Sequence, residues 1–157
     1  MAAFLFWASL GGLAVLLAVA AWGDARRFVI PNWLCAAVAL LSLPYWWASG
    51  APLWPGFALQ AGVALGVFIL FAALFMAGVM GGGDVKLLAA LALWLPLSRL
   101  LEMLTLVALA GGVLTLGLLA RHRLAARSGR PEIPYGLAIV AGAALVLGEP
   151  LVKQFQS

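Results

Sequence analysis

Six apolar runs govern what this chain can fold into. They occupy residues 4–22, 33–49, 57–79, 85–97, 100–120 and 134–152, separated only by GDARRFVIPN, SGAPLWPG, GGGD, PLSR and RHRLAARSGRPEI. A chain of 157 residues that is 66% hydrophobic and 9% charged has more apolar side chains than the interior of one soluble domain can hide. A bilayer core about 30 Å thick asks for roughly 20 apolar residues per helix. The pattern therefore predicts an all-α polytopic membrane protein with six transmembrane helices in a single domain, residues 1–157. Met1 is followed by apolar residues without the basic stretch of a cleaved signal, so the first run reads as a retained helix. Chemistry then falls to groups in or at the edge of the membrane, where ionisable side chains are costly and usually functional.

The formal charge of +4 is better read as topology than as affinity for nucleic acid, which is excluded as a partner. With the N-terminus outside, Arg26, Arg27, Lys86, Arg121, Arg123, Arg127 and Arg130 lie on the cytoplasmic side, and Arg99 and Lys153 on the outer side. Seven basic residues against two is the bias expected of that orientation. It also puts Asp24 and Asp84, sixty residues apart, on the same side of the membrane. A single cysteine, Cys35, rules out an internal disulfide and a cysteine-cluster zinc site. Neither a metal nor a cofactor is expected.

The fourth run covers only about 20 Å at 1.5 Å per residue, so one of its ends should be recessed. Gly81 to Gly83 permit an irregular start that other residues would resist, and Pro96 can separate this run from the next. Asp84 is then expected just before a helix, in a water-reachable cleft at the cytoplasmic interface. There the unpaired N–H groups of the helix favour a negative charge, whereas Asp24 ends a helix, where the dipole opposes one. Two carboxylates brought together share a proton and titrate in two steps. One acid beside one base is the equipment of aspartic proteolysis: the base activates water, and the acid protonates the carbonyl oxygen and later the leaving amine. The alternative for each is a helix cap or an interfacial ion pair, Asp24 with Arg27 and Asp84 with Lys86.

At these residues the sequence resembles the type IV prepilin peptidases, membrane proteases with a GxGD motif, in the short form found in tight-adherence (Flp) pilus systems. DARRFVIPN, from Asp24 to Asn32, is similar to the family's first-aspartate segment. GGGDVKLLAALALW resembles GxGDxKLxAxxG, with Gly81, Gly83, Asp84, Lys86, Leu87 and Ala89 in register and Leu93 and Trp94 standing where a glycine is usual. IPYGLAIVAG, from Ile133 to Gly142, resembles the proline-aromatic-glycine approach to the last helix. The resemblance implies that Asp24 and Asp84 are the catalytic pair and that the substrates are prepilins or pseudopilins. It further implies cleavage after a leader glycine at the cytoplasmic face of a bacterial inner membrane. The zinc-binding cytoplasmic region of the long-form members, with its methyl-transfer activity, has no counterpart here. Archaeal preflagellin peptidases share the two-aspartate plan. A different class, a small proton or cation transporter, would need carboxylates along a path open to both sides, and a non-enzymatic assembly protein would tolerate loss of either aspartate.

Around this core, Lys86 either contacts substrate and tunes the pair or anchors the topology. Pro31 and Asn32 are expected to fix the start of the second helix, through proline's restricted φ and an Asn cap. Arg121, Arg123, Arg127 and Arg130 form a basic loop suited to topology, to anionic lipid or to an acidic substrate group, with His122 a solvated member of it. Arg99 with Glu102 and Glu149 with Lys153 have the spacing of surface pairs. Cys35 reads as a small buried residue. The seven tryptophans, Trp7, Trp22, Trp33, Trp46, Trp47, Trp54 and Trp94, suit interfacial anchoring. Gly62 and Gly66 have the spacing that admits a close helix neighbour within the bundle.

Overall fold

The computed structural model describes residues 1–50, 52–124 and 135–155, without the side chains of residues 53, 119, 121–124 and 149–155. Among the described residues the chain is entirely helical: α1 (Ala2–Arg27), α2 (Asn32–Ala48), a π-helical turn (Leu53–Phe57), α3 (Ala58–Met76), α4 (Gly82–Ala92), α5 (Leu97–Leu124) and α6 (Tyr135–Phe155). Three stretches are long and apolar enough to cross a membrane, Ala2–Arg27, Trp54–Met76 and Leu97–Leu118. By that measure α2 falls just short at 17 residues, α4 has 11, and the apolar part of α6 runs over Tyr135–Gly148.

The first helix runs past its apolar segment. Arg26 and Arg27 extend it through Asp24, because cations in a last turn complement the helix dipole. It stops at Phe28, which takes a left-handed φ of 52° and donates its N–H to the Asp24 carbonyl at 2.9 Å. The buried residues of α1, Ser9, Leu13, Leu17, Ala20 and Asp24, recur every three or four positions and form one stripe. Asp24 thus sits on the face turned into the bundle.

The fourth helix differs from its expected bounds of 85–97 at both ends. Gly82 and Gly83 already belong to it, so Asp84 occupies the first turn and does not precede the helix. The chain leaves it at Leu93, and Pro96 directly precedes α5. Ending a helix among apolar neighbours leaves carbonyls without partners. Here side chains supply them: the buried Gln60 amide of α3 donates to the carbonyls of Ala92 and Leu95, and Trp46 Nε1 donates to Leu93 at 2.7 Å. At 1.5 Å per residue α4 is about 16 Å long.

This short helix is the centre of the packing. It touches α2, α3 and α6, while α1 packs on α2 and α6, and α5 on α6. Leu87, Leu88 and Leu91 of α4 are fully buried with Leu34 and Val38 of α2, Met103 of α5 and Ile139 of α6. Other apolar side chains face outward, among them Val15 and Val19 of α1, Leu65, Ile69 and Leu70 of α3, and Leu109, Val113 and Leu116 of α5. An apolar inside with an apolar outside is the distribution a lipid solvent permits.

Two expectations about packing are corrected. Trp94 is no interfacial anchor: it is 1% exposed, donates Nε1 to the Val38 carbonyl at 3.0 Å and lies 5.0 Å from the Tyr45 ring, because the chain turns inward after α4. Trp22, Trp33, Trp47 and Trp54 are exposed. Gly62 and Gly66 have no close neighbour among the described residues, since a Cβ at either would meet none of their atoms within 4 Å. The close approach lies between α5 and α6, where a Cβ on Gly142 would fall 2.7 Å from Val107 Cγ2. Cys35 is buried, and the Arg99–Glu102 pair forms at 2.8 Å. The Glu149–Lys153 pair and the His122 side chain lie outside the described residues.

Candidate active site

Asp24 and Asp84 reach the same cavity from different helices. The last turn of α1 carries one and the first turn of α4 the other, and both side chains are buried, at 4% and 7% exposure. The cavity has a volume of about 230 Å³ and is lined by Asp24, Phe28, Val29, Ile30, Gly81, Gly82, Gly83 and Asp84. One wall is therefore the link that ends α1, and the other is the glycine run that begins α4.

The glycines have steric work to do there. A Cβ on Gly81 would lie 2.9 Å from Oδ2 of Asp84. At Gly83 it would meet the backbone of Ile30, 3.1 Å from the carbonyl oxygen and 3.4 Å from the nitrogen. Gly83 thus lets the start of α4 lie against the Ile30 segment, and that contact closes the distance between the two aspartate segments. Cys35 Sγ, from the first turn of α2, approaches the Gly83 carbonyl at 3.8 Å.

Neither carboxylate is engaged in the ion pair that a bland reading assigns it. Among the described residues Asp24 makes no ion pair with Arg27, nor Asp84 with Lys86; Arg26 lies over the Trp22 ring at 4.3 Å. Asp24 Oδ2 accepts the Leu137 backbone N–H of α6 at 3.2 Å. Oδ1 of Asp84 is buried with no hydrogen-bond partner among the described residues. Leaving a buried acceptor unpaired costs about 1–3 kcal/mol, more when it is charged. In native structures such a group is accounted for by an ordered water, an ion or a functional role.

Lys86 leaves the cavity. Its Nζ donates to Asn32 Oδ1 at 2.8 Å on an exposed surface, joining the α4 motif to the first residue of α2. This corrects the expected role of Asn32: the N-cap of α2 is Pro31, with φ −70° and ψ 145°, and no side chain caps that helix. Asn32 lies inside the first turn, so its amide oxygen is free to accept from the lysine. The side chains of Arg121 and Arg123, and all of Arg127 and Arg130, lie outside the described residues. Among the described residues no group of three His, Cys, Asp or Glu comes together as a metal site would require.

Two features of the site were not named from sequence. Phe28 and Val29, the apolar residues between Arg27 and Ile30, line the cavity. Gly136 lies so close to Asp24 that a Cβ on it would fall 2.7 Å from the carboxyl carbon and from Oδ2. The IPYG sequence before the last helix was the available signal for that contact, but it gave no partner.

Fold and cavity together define a helical protein of membrane character that buries a pair of carboxylates at one end of its bundle. Comparison with known families agrees with that class. Residues 11–116 match the type IV leader peptidase family, a span that includes both aspartates and exceeds half the chain, and the chain belongs to that family. No curated protein and no solved structure matches it.

Proposed function

We propose that the chain is an aspartic endopeptidase of the bacterial inner membrane that removes the leader from type IV prepilins of the Flp type, with Asp24 and Asp84 as its catalytic pair. Family membership supports the leader-peptidase reaction. The observation that carries the rest is the shared cavity: two buried carboxylates, distant in sequence, face one small space without a salt-bridge partner among the described residues. Facing carboxylates hold one proton between them, which provides a general base and a general acid at one pH. The base takes a proton from water as the oxygen attacks the scissile carbonyl. The acid protonates the carbonyl oxygen, and collapse of the tetrahedral intermediate expels the amine with a proton from the pair. Asp84 Oδ1, buried and without a partner, is suited to receive the water or the substrate oxygen.

The bias of basic residues supports a cavity at the cytoplasmic side, with the N-terminus outside and six helices traversing or entering the bilayer. Prepilins are then cut where a basic leader meets the membrane. The test is co-expression with an Flp-type prepilin, with leader removal followed by mass spectrometry. Cleavage after the leader glycine, abolished by Asp24→Ala and by Asp84→Ala in membrane-inserted protein, is the expected result. An intact prepilin beside a correctly inserted wild-type protein would overturn the reading.

A further inference from the structure

We propose that Gly136, with the Leu137 N–H beside it, is a positioning residue that holds Asp24 in its working orientation, so that α6 is a third component of the site. The inference rests on the peptidase reading and adds an element beyond the family match, which ends at residue 116. Asp24 projects from α1 toward the first turn of α6, and α6 packs on both α1 and α4. In that turn the Leu137 N–H donates to Asp24 Oδ2 at 3.2 Å, across 113 residues of sequence. It is one of the free N–H groups that every helix start presents.

The bond forms only because position 136 lacks a side chain. A Cβ there would stand 2.7 Å from Asp24 Cγ and Oδ2 and 3.0 Å from its Cβ, closer than such atoms approach. The obstructing atoms belong to a short carboxylate rooted in a buried turn, so any larger residue turns the carboxylate away from the N–H and from Asp84. Asp84 has no equivalent clamp on Oδ1. The two acids are thus held differently: α6 fixes one, and the glycine run of α4 surrounds the other.

The test compares wild-type enzyme with Gly136→Ala and Gly142→Ala, purified in detergent with folded fractions measured by thermal melting. Gly142→Ala strikes the α5–α6 contact at Val107 and reports a purely structural defect. Gly136→Ala is expected to lower kcat about 10²-fold, as misplacement of a reacting group does, and to leave KM within about twofold of wild type. Gly142→Ala should lower the melting temperature while kcat per folded molecule stays at the wild-type value. Modification by dicyclohexylcarbodiimide, located by mass spectrometry, gives a readout independent of cleavage: loss of the N–H donor should raise the rate at Asp24 relative to Asp84 in Gly136→Ala. A Gly136→Ala enzyme with wild-type kcat per folded molecule, or an unchanged modification ratio, would overturn the proposal. If wild type itself cleaves no prepilin, the peptidase reading fails, and the modification ratio alone decides whether Gly136 holds Asp24.

Discussion

Asp84 shows how much of this site is settled by what surrounds a single residue. A Cβ on Gly81 would crowd its Oδ2, and its Oδ1 is buried without a partner, so Oδ1 is committed to no stabilising bond among the described residues. The nearby lysine does not supply one, because Lys86 turns outward to Asn32. That bond ties the two aspartate segments together at an exposed surface, where one hydrogen bond contributes at the lower end of about 0.5–1.5 kcal/mol. Lys86→Ala and Asn32→Ala should each lower stability by roughly 0.5 kcal/mol, and the double variant by no more than either alone. Melting of the three variants checks this; additive losses would show that the bond does not form. Asp24 and Asp84 stand out in sequence because charge is rare in so apolar a chain, and the structure brings both to one cavity. The Lys86–Asn32 bond was not legible there, since it depends on the angle between α4 and α2 and not on spacing along either.

The glycines of α4 and α3 separate contact from composition at the scale of the element. Gly83 lies against the Ile30 backbone, which cannot move aside, whereas Gly62 has open space around it. Gly83→Ala should destabilise the protein by about 1–3 kcal/mol through overpacking and open the cavity. Gly62→Ala should stabilise α3 by about 0.5–1 kcal/mol through lower chain entropy. Thermal melting distinguishes the two, and equal shifts would contradict the packing described. The shortness of α4 was legible from the length of its apolar run. What terminates it was not: Gln60 lies more than thirty residues away, and a lone amide in an apolar run names no partner. Its two acceptors are the carbonyls of Ala92, the last residue of α4, and of Leu95, in the link to α5. Gln60→Leu leaves both unpaired and should cost about 1–3 kcal/mol for each carbonyl that water does not reach, read as a fall in melting temperature.

For the molecule as a whole, the six apolar runs foretold six helices, and six α-helices form among the described residues; three described stretches have the length of a full span, and α4 is short because the chain leaves it at Leu93 for a turn inside the bundle. The proposed orientation puts the α2–α3 link outside and the α3–α4 link inside. In a Cys35→Ala background, Ser49→Cys should react with an impermeant maleimide on intact cells and Ala77→Cys only after lysis; the reverse would overturn the topology. The proposed sharing of work between Asp24 and Asp84 is tested most directly by cleavage rates of Asp24→Asn, Asp84→Asn and the double variant on one prepilin. Groups that act as a unit are not additive, so each single change should reduce the rate equally far and the double change no further. A single variant that keeps cleaving near the wild-type rate, or two partial defects that multiply, would contradict a shared catalytic pair.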